Sequence, residues 1–259
     1  TVRGILNYVL RDMTHPEGGF YCAEDADSEG VEGLFYVWTM RQVLDVLGDA
    51  EGKLFCEFYD VTERGNFEGK NILNIPNGRT WEEFAAAKKI SLGDLKRRLA
   101  DGCAKLFLER EKRVHPLKDD KILAGWNGMM IGTMAYAGGA LGETRYIEAA
   151  CKAEAFVRGR LVDEQGRIRR RFRNGKTGGK GFLEDYVHYI SGLIGLYHAT
   201  LDADYLERAV RFQKECTRLF WDNGQGGFYS TGGDSESLII RGKDSYDGAY
   251  PSGNSVAIA

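Results

Sequence analysis

At the centre of the chain stands Lys118-Asp-Asp-Lys-Ile-Leu-Ala-Gly-Trp-Asn-Gly-Met-Met130, where a charged stretch runs into an apolar, glycine-rich helix. A helix N-terminus exposes unpaired N–H groups and a partial positive charge, which stabilise carboxylates placed there. We therefore expect Asp119 and Asp120 at the mouth of this helix, either as caps or as parts of a site. Similar junctions follow at Gly181-Phe-Leu-Glu-Asp-Tyr186 and at Tyr246-Asp-Gly-Ala-Tyr-Pro-Ser-Gly-Asn254.

An internal repeat decides the fold. Trp126 and Tyr186 are 60 residues apart, as are Gly166 and Gly226. One unit is predicted to hold an apolar inner helix, an amphipathic outer helix and a strand-like loop. Such helical hairpins close into an all-α toroid, and an open α-solenoid is the alternative. The predicted helices cover 2–13, 39–47, 49–58, a short segment from 80, 91–113, 122–141, 144–161, 183–201 and 204–221.

The helix predicted over 122–141 is too rich in glycine for a surface position. Glycine costs about 1 kcal/mol relative to alanine in a helix interior. Close packing against another element must compensate for this cost, so the helix is expected on the inside. Its glycines are Gly125, Gly128, Gly132, Gly138 and Gly139.

Turn and strand signals connect the helices. We predict a two-stranded β-hairpin from 20–23 and 33–38 around an acidic loop, and a second hairpin that turns at Asn174-Gly175. A short strand is expected over 226–230.

Composition excludes several classes of protein. The chain has 259 residues, 43% of them hydrophobic, and a net charge of −3, which gives no general attraction to nucleic acid or to anionic membranes. No apolar run is long enough to span a membrane. Five scattered cysteines are typical of reduced thiols in a cytoplasmic protein, and four histidines without ligand spacing predict no metal and no cofactor. Both ends look cut, so a piece of a longer protein is expected.

Six motifs in order resemble one known family. They are GGFYCAEDADSEG, FYVWT, GNFEGKNIL, HPLKDDKILAGWNGMMI, GFLEDY and KDSYDGAYPSGNS. Together they are similar to the spermatogenesis-associated protein 20 family of thioredoxin-domain-containing proteins. The resemblance implies an (α/α)6 toroid of the six-hairpin glycosidase type, of which residues 1–259 would be a single incomplete domain.

The same resemblance implies parts that this chain lacks, namely an N-terminal thioredoxin-like domain and C-terminal hairpins. That thioredoxin-like domain is the expected partner. The family's fold implies a carbohydrate role by analogy. It gives no ground for assigning His188 as a base, because the residues after GFLEDY depart from the family pattern.

Acidic residues are the candidate catalytic groups. Glycoside hydrolysis needs two carboxylates facing one cavity. Asp25 and Asp27 lie in the acidic loop, and Asp120 and Asp185 precede or open inner helices. The alternative for the loop acids is a solvated turn, and for the junction acids a helix cap.

Other residues of the junctions are candidate contacts to a substrate. Aromatic rings suit the apolar face of a sugar, and buried amides need hydrogen-bond partners, which a ligand or a core network can supply. The predicted substrate-binding residues are Glu24, Asp119, Lys121, Trp126, Asn127, Glu184, Tyr186, Asp247 and Asn254. Tyr21, Tyr36 and Tyr250 would add to an aromatic lining.

A basic stretch precedes the second junction, and it predicts a hairpin whose arginines are mostly solvated. The candidate ligands of the stretch are a phosphate, a sugar acid and nucleic acid, of which the net charge of −3 disfavours nucleic acid. One or two of the arginines are expected to reach the mouth of the following helix. The cations are Arg167, Arg169, Arg170, Arg171, Arg173, Lys176 and Lys180.

Two hypotheses for function follow. The first is a carbohydrate-active toroid, a glycosidase or a sugar epimerase, with a small-molecule carbohydrate as its substrate. The second is a non-catalytic binding or scaffold module that works with a thioredoxin-like redox domain.

Overall fold

A computed structural model describes residues 1–236 and 239–259, which form two compact units. The first unit contains Thr1–Ala23 and Asp119–Ala259, and the second contains Glu24–Lys118. Each unit has its own cluster of buried apolar side chains. A single toroid domain over 1–259 stays a prediction.

The secondary structure is mainly helical. In chain order the helices are α1 (Val2–Asp12), α2 (Met40–Leu47), α3 (Asp49–Phe58), α4 (Trp81–Lys88), α5 (Leu92–Arg110), α6 (Ala124–Leu141), α7 (Thr144–Arg160), α8 (Leu183–Thr200), α9 (Ala203–Phe220) and α10 (Gly253–Ile258). The strands are β1 (Ala23–Glu24), β2 (Asp27–Ser28), β3 (Val31–Glu32), β4 (Lys118–Asp119), β5 (Ile122–Leu123), β6 (Arg169–Arg173) and β7 (Lys176–Lys180).

In the first unit the helices alternate between inner and outer positions. The inner helix α8 packs against α6 on one side and α10 on the other, while α7 and α9 pack as the outer partners of α6 and α8. Helix α6 is apolar over most of its surface, whereas α9 has one apolar and one charged face. The predicted class, an incomplete α/α toroid with short strands in its loops, is confirmed.

Helices α6 and α8 touch backbone to backbone through their glycines. A Cβ atom on Gly128 would lie 2.4 Å from the carbonyl carbon of His188, and one on Gly192 would lie 2.6 Å from the carbonyl oxygen of Gly128. Further along, a Cβ on Gly195 would lie 3.1 Å from the Cα of Gly132. Only glycine permits this approach, so the predicted close packing of the glycine-rich helix is confirmed.

A second contact joins the first turns of the same helices. The Asp185 carboxylate in α8 accepts a hydrogen bond from the Gly125 N–H in α6 at 2.9 Å. Its other oxygen accepts from the Phe182 N–H at 2.9 Å and from Arg170 Nη1 at 3.0 Å. Asp185 is 1% exposed, so this one side chain fixes the start of α8, the start of α6 and strand β6.

Each outer helix ends in a turn that the next inner helix holds by a polar side chain. After α1 the N–H and C=O of Phe20 both bond to the Asn127 amide, at 2.7 and 3.0 Å. After α9, Phe228 bonds to Asn254 in the same way, at 2.8 and 2.9 Å. After α7 the Ile168 N–H donates to the Tyr186 hydroxyl at 3.0 Å. The same connection is therefore built three times.

The strands and bridges of the loops differ from the sequence prediction in three places. The hairpin expected from 20–23 and 33–38 is wrong, because Asp27 pairs with Glu32 inside the acidic loop, while Trp38 pairs with Asn71. Helix α6 begins at Ala124 rather than at Ile122, since β5 pairs with β6. The strand expected over 226–230 is reduced to one bridge between Trp221 and Phe228.

Other local predictions are confirmed. Asn174 and Gly175 have φ of 49° and 72° and form the turn between β6 and β7. In the second unit, the helix predicted over 39–47 begins with a capping box formed by Thr39 and Gln42. The core of the second unit gathers side chains of α2 to α5 around Phe55, Phe58 and Leu99.

Substituting Gly128 by alanine is expected to destabilise the first unit by about 1–3 kcal/mol, because the new methyl group forces α6 and α8 apart. The matched control is Gly139→Ala in the same helix, where a Cβ would meet nothing within 4 Å. That control is expected to be neutral or to stabilise by up to about 1 kcal/mol. Equal urea midpoints for the two variants would contradict the close contact.

Replacing Asp185 by asparagine is expected to cost about 2–4 kcal/mol, because an amide NH2 then faces buried N–H donors and Arg170 loses a charged partner. Glu184→Gln is the control, since Glu184 also contacts Arg170 Nη1 but is partly exposed. Its cost is expected below about 1 kcal/mol. Chemical unfolding measures both, and a D185N variant as stable as E184Q would exclude the structural role of Asp185.

Candidate functional site

Side chains from three inner-helix junctions meet at the N-terminal ends of α6, α8 and α10. The Tyr250 hydroxyl, just before α10, donates to the Glu184 carboxylate at 3.0 Å and is also hydrogen-bonded to the Trp126 side chain. The rings of Trp126 and Tyr250 are 39% and 36% exposed, so both present a face to solvent. Burial and the bond to Glu184 raise the pKa of Tyr250, which keeps its proton at neutral pH.

Arg170 is the cation of this site. Its Nη1 donates to Glu184 at 2.6 Å and to Asp185 at 3.0 Å, so the two carboxylates lie side by side. Burial raises the pKa of Asp185, while Arg170 and the N–H groups of Phe182 and Gly125 act in the opposite direction. The guanidinium also lies over the Phe182 ring, 4.7 Å from its centroid. The expectation that an arginine of the basic stretch reaches the mouth is thereby met.

His188 lies one turn after Glu184 on α8. It is 4% exposed, and its Nε2 atom has no hydrogen-bond partner among the residues the structure describes. Burial lowers the pKa of its imidazole, an effect that Glu184 opposes. The ring of Tyr250 stands edge-on to His188 at 5.8 Å between centroids. The imidazole is therefore neutral at pH 7, and within the described residues its Nε2 atom, close to the Tyr250 ring, is without a hydrogen-bond partner.

The acids of the first junction are engaged with cations. Asp119 forms an ion pair with Lys121 at 3.0 Å, and Asp120 forms one with Arg173. Burial acts to raise the pKa of Asp119, but its contacts with Lys121 outweigh this effect and hold the pKa below its usual range. Neither acid caps α6, whose N-cap is Leu123 without a side-chain bond. The interpretation of these two acids as helix caps is wrong, because β5 intervenes.

Several predicted substrate contacts have their polar groups bonded within the chain. The amides of Asn127 and Asn254 hold Phe20 and Phe228, and the Tyr186 hydroxyl, on a fully buried ring, accepts from Ile168. Asp247 accepts from the N–H of Ser252, which lowers the pKa of its carboxyl, and Ser252 caps α10. Their contact with a ligand stays a prediction.

The acidic-loop residues belong to the second unit. The Asp25 carboxylate accepts from the Asp27 N–H at 3.1 Å, a local turn of the kind that short acidic side chains favour. Glu24 forms an ion pair with Lys118 at 3.5 Å. Their membership of a common site with the inner-helix junctions stays a prediction.

Of the predicted site residues, the structure brings Trp126, Glu184 and Asp185 together. It adds Tyr250 of the predicted aromatic lining, Arg170 of the basic stretch, and His188, which was not a predicted site residue. The place of Tyr250 in the third junction was enough to predict it from the sequence. Which arginine points to Glu184, by contrast, depends on the register of β6.

Within residues 1–236 and 239–259, no group of three or more His, Cys, Asp or Glu side chains is arranged to hold a metal ion. Over the same residues, none of the helices is both long and apolar enough to cross a bilayer.

Comparison with solved structures gives distant likenesses. A sugar epimerase from a ruminal bacterium is 13% identical with a TM-score of 0.39, and the match covers 87% of this chain and 55% of that one. A family 105 glycoside hydrolase from C. acetobutylicum is 14% identical with a TM-score of 0.43, covering 85% of this chain and 66% of that one. At such scores the likeness carries no conclusion about activity.

Sequence comparison is more informative. No model of a protein family matches the chain. Spermatogenesis-associated protein 20 of Homo sapiens is 36% identical over 98% of this chain, and the mouse protein of the same name is 35% identical over 98%. The chain spans 37% of the human protein and 36% of the mouse protein. By this similarity the chain belongs to the spermatogenesis-associated protein 20 family.

Proposed function

We propose that the first unit binds a carbohydrate at the N-terminal ends of its inner helices. The observation that carries the proposal is the meeting of two half-exposed aromatic rings, Trp126 and Tyr250, with the Glu184 carboxylate. A sugar offers C–H groups on its faces and hydroxyls around its edge. Aromatic rings beside a carboxylate fit both parts.

Proton transfer on the sugar has more support than hydrolysis by a carboxylate pair. Hydrolysis needs two carboxylates that both reach the substrate. Asp185, the neighbour of Glu184, is 1% exposed and cannot reach a substrate, whereas Glu184 is partly exposed. A neutral imidazole, by contrast, can accept a proton, and Nε2 of His188 has no hydrogen-bond partner among the described residues. Displacement of Tyr250 by a ligand would expose this nitrogen of His188 to the sugar. A base that can take a proton from the sugar favours epimerisation over glycoside cleavage.

The alternative is a non-catalytic module serving a thioredoxin-like domain of the full-length protein. It is supported by Asn127, Asn254 and Tyr186, whose polar groups are bonded to backbone in the described structure. The chain spans little more than a third of its human relative, so the activity and domains of the whole protein are part of the proposal.

Trp126→Ala is expected to weaken binding of a neutral sugar about 10-fold, because loss of one stacking ring removes about 1 kcal/mol or more. Titration calorimetry with glucose, mannose and cellobiose measures the effect. The control is Tyr136→Ala, which removes an exposed ring from the same helix, one that is not part of the junction. Absence of binding to all three sugars, or equal losses in both variants, would count against a carbohydrate site.

His188→Asn is expected to abolish deuterium uptake from D2O into a bound sugar, as followed by NMR, while binding is kept. Burial places the pKa of folded His188 below the ordinary value of about 6.5. The exchange rate should therefore be constant through neutral pH and fall only as pH drops below that value.

The neutral imidazole also stabilises the fold above pH 6.5, and this contribution is lost as pH falls through the lowered pKa. Glycoside cleavage without exchange would favour a hydrolase, and neither reaction would favour the scaffold.

A further inference from the structure

A cleft of about 770 Å³ lies over the sheet formed by β5, β6 and β7. Its lining carries four cations and one carboxylate, together with the apolar side chains of Leu123 and Phe182. The cations are Lys121, Arg170, Arg171 and Lys180, and the carboxylate is Glu236. The cleft therefore combines positive charge with an apolar surface.

The register of the hairpin places Arg171 on an open part of this sheet. Residues that alternate along β6 share a face, and Arg171 pairs with Gly178 of β7 and Leu123 of β5. Because Gly178 has no side chain, the Arg171 guanidinium lies across it, with its central carbon 3.5 Å from where a Cβ would be. A larger residue at Gly178 would occupy the space beside the guanidinium.

Arg171 is the cation of this cleft whose charge is not engaged in the described part of the chain. Lys121 pairs with Asp119, Lys180 with Asp234, and Arg170 with Glu184 and Asp185. Over residues 1–236 and 239–259, Arg171 has no carboxylate within 4.0 Å, Glu236 included. A guanidinium presents donors in a planar fork that matches the two oxygens of a carboxylate or a phosphate.

The cleft adjoins the proposed carbohydrate site. Phe182 and Thr231 line both this cleft and a smaller cavity of about 210 Å³, which Glu184 also lines. Arg170 lines the cleft and contacts Glu184 by Nη1. A ligand whose ring lies at Glu184 can thus place a substituent in the cleft.

We infer that the cleft binds the acidic group of an anionic sugar, a uronate carboxylate or a sugar phosphate, through Arg171. The inference rests on the proposed function, which it sharpens by naming the class of carbohydrate. Phe182 and Leu123 cover the apolar face of the ligand, and Arg171 neutralises its charge.

The test is titration calorimetry with glucose, glucuronate and glucose 6-phosphate, which share one ring. At low ionic strength at least one acidic sugar should bind about 10- to 100-fold more tightly than glucose, since hydrogen bonds between charged groups are the strong ones. Arg171→Gln should remove this difference and leave glucose affinity unchanged. The stronger of the two acids distinguishes a carboxylate site from a phosphate site.

Lys176→Gln is the matched control. Lys176 is an exposed cation on the same face of the same hairpin, and it does not line the cleft. If R171Q and K176Q weaken the acids equally, general charge attraction explains binding and the inference is wrong. If all three sugars bind equally to the unaltered protein, the inference fails while the carbohydrate site stands. If inorganic phosphate binds in an Arg171-dependent way but no sugar binds, the cleft is an anion site and the proposed function fails.

Discussion

The backbone contact between α6 and α8 is the constraint on which the first unit depends. Gly128 and Gly192 remove the side chains that normally keep two helices apart, so carbonyl groups of one helix face the backbone of the other. This approach places the first turns of both helices side by side. Only then can the Asp185 carboxylate reach the Gly125 N–H, and the loss of helix propensity at the glycines is offset by packing.

In three repeats, a side chain of an inner helix bonds to the backbone of the turn that follows an outer helix, and the type of side chain differs. An outer helix must turn back, and its turn exposes a backbone N–H and C=O that need partners. Asn127 and Asn254 satisfy both groups because an amide donates and accepts. Tyr186 takes the same place in the middle repeat but satisfies only the N–H of Ile168. Residues that resemble ligand contacts in the sequence therefore hold the loops that carry the site.

Two adjacent carboxylates acquire different roles from helix geometry. Successive residues of a helix point about 100° apart, so Asp185 turns toward α6 while Glu184 turns toward Tyr250. Both share Arg170, whose charge makes the burial of Asp185 tolerable. The result is one buried structural acid and one partly exposed acid, which accepts from Arg170 and Tyr250, beside a neutral imidazole.

The sequence by itself determined the fold class, the 60-residue period, the burial of the glycine-rich helix and the turn at Asn174-Gly175. Each of these is a local pattern or a repeat along the chain, so the order of residues in the sequence is enough to find it. Tertiary structure alone decided that Arg170 rather than Arg171 meets Glu184, and that Asp119 and Asp120 pair with cations instead of capping α6. It also decided that Nε2 of His188 finds no hydrogen-bond partner in the described part of the chain. These facts depend on strand register and on which helix faces approach each other, and residues distant along the chain set both.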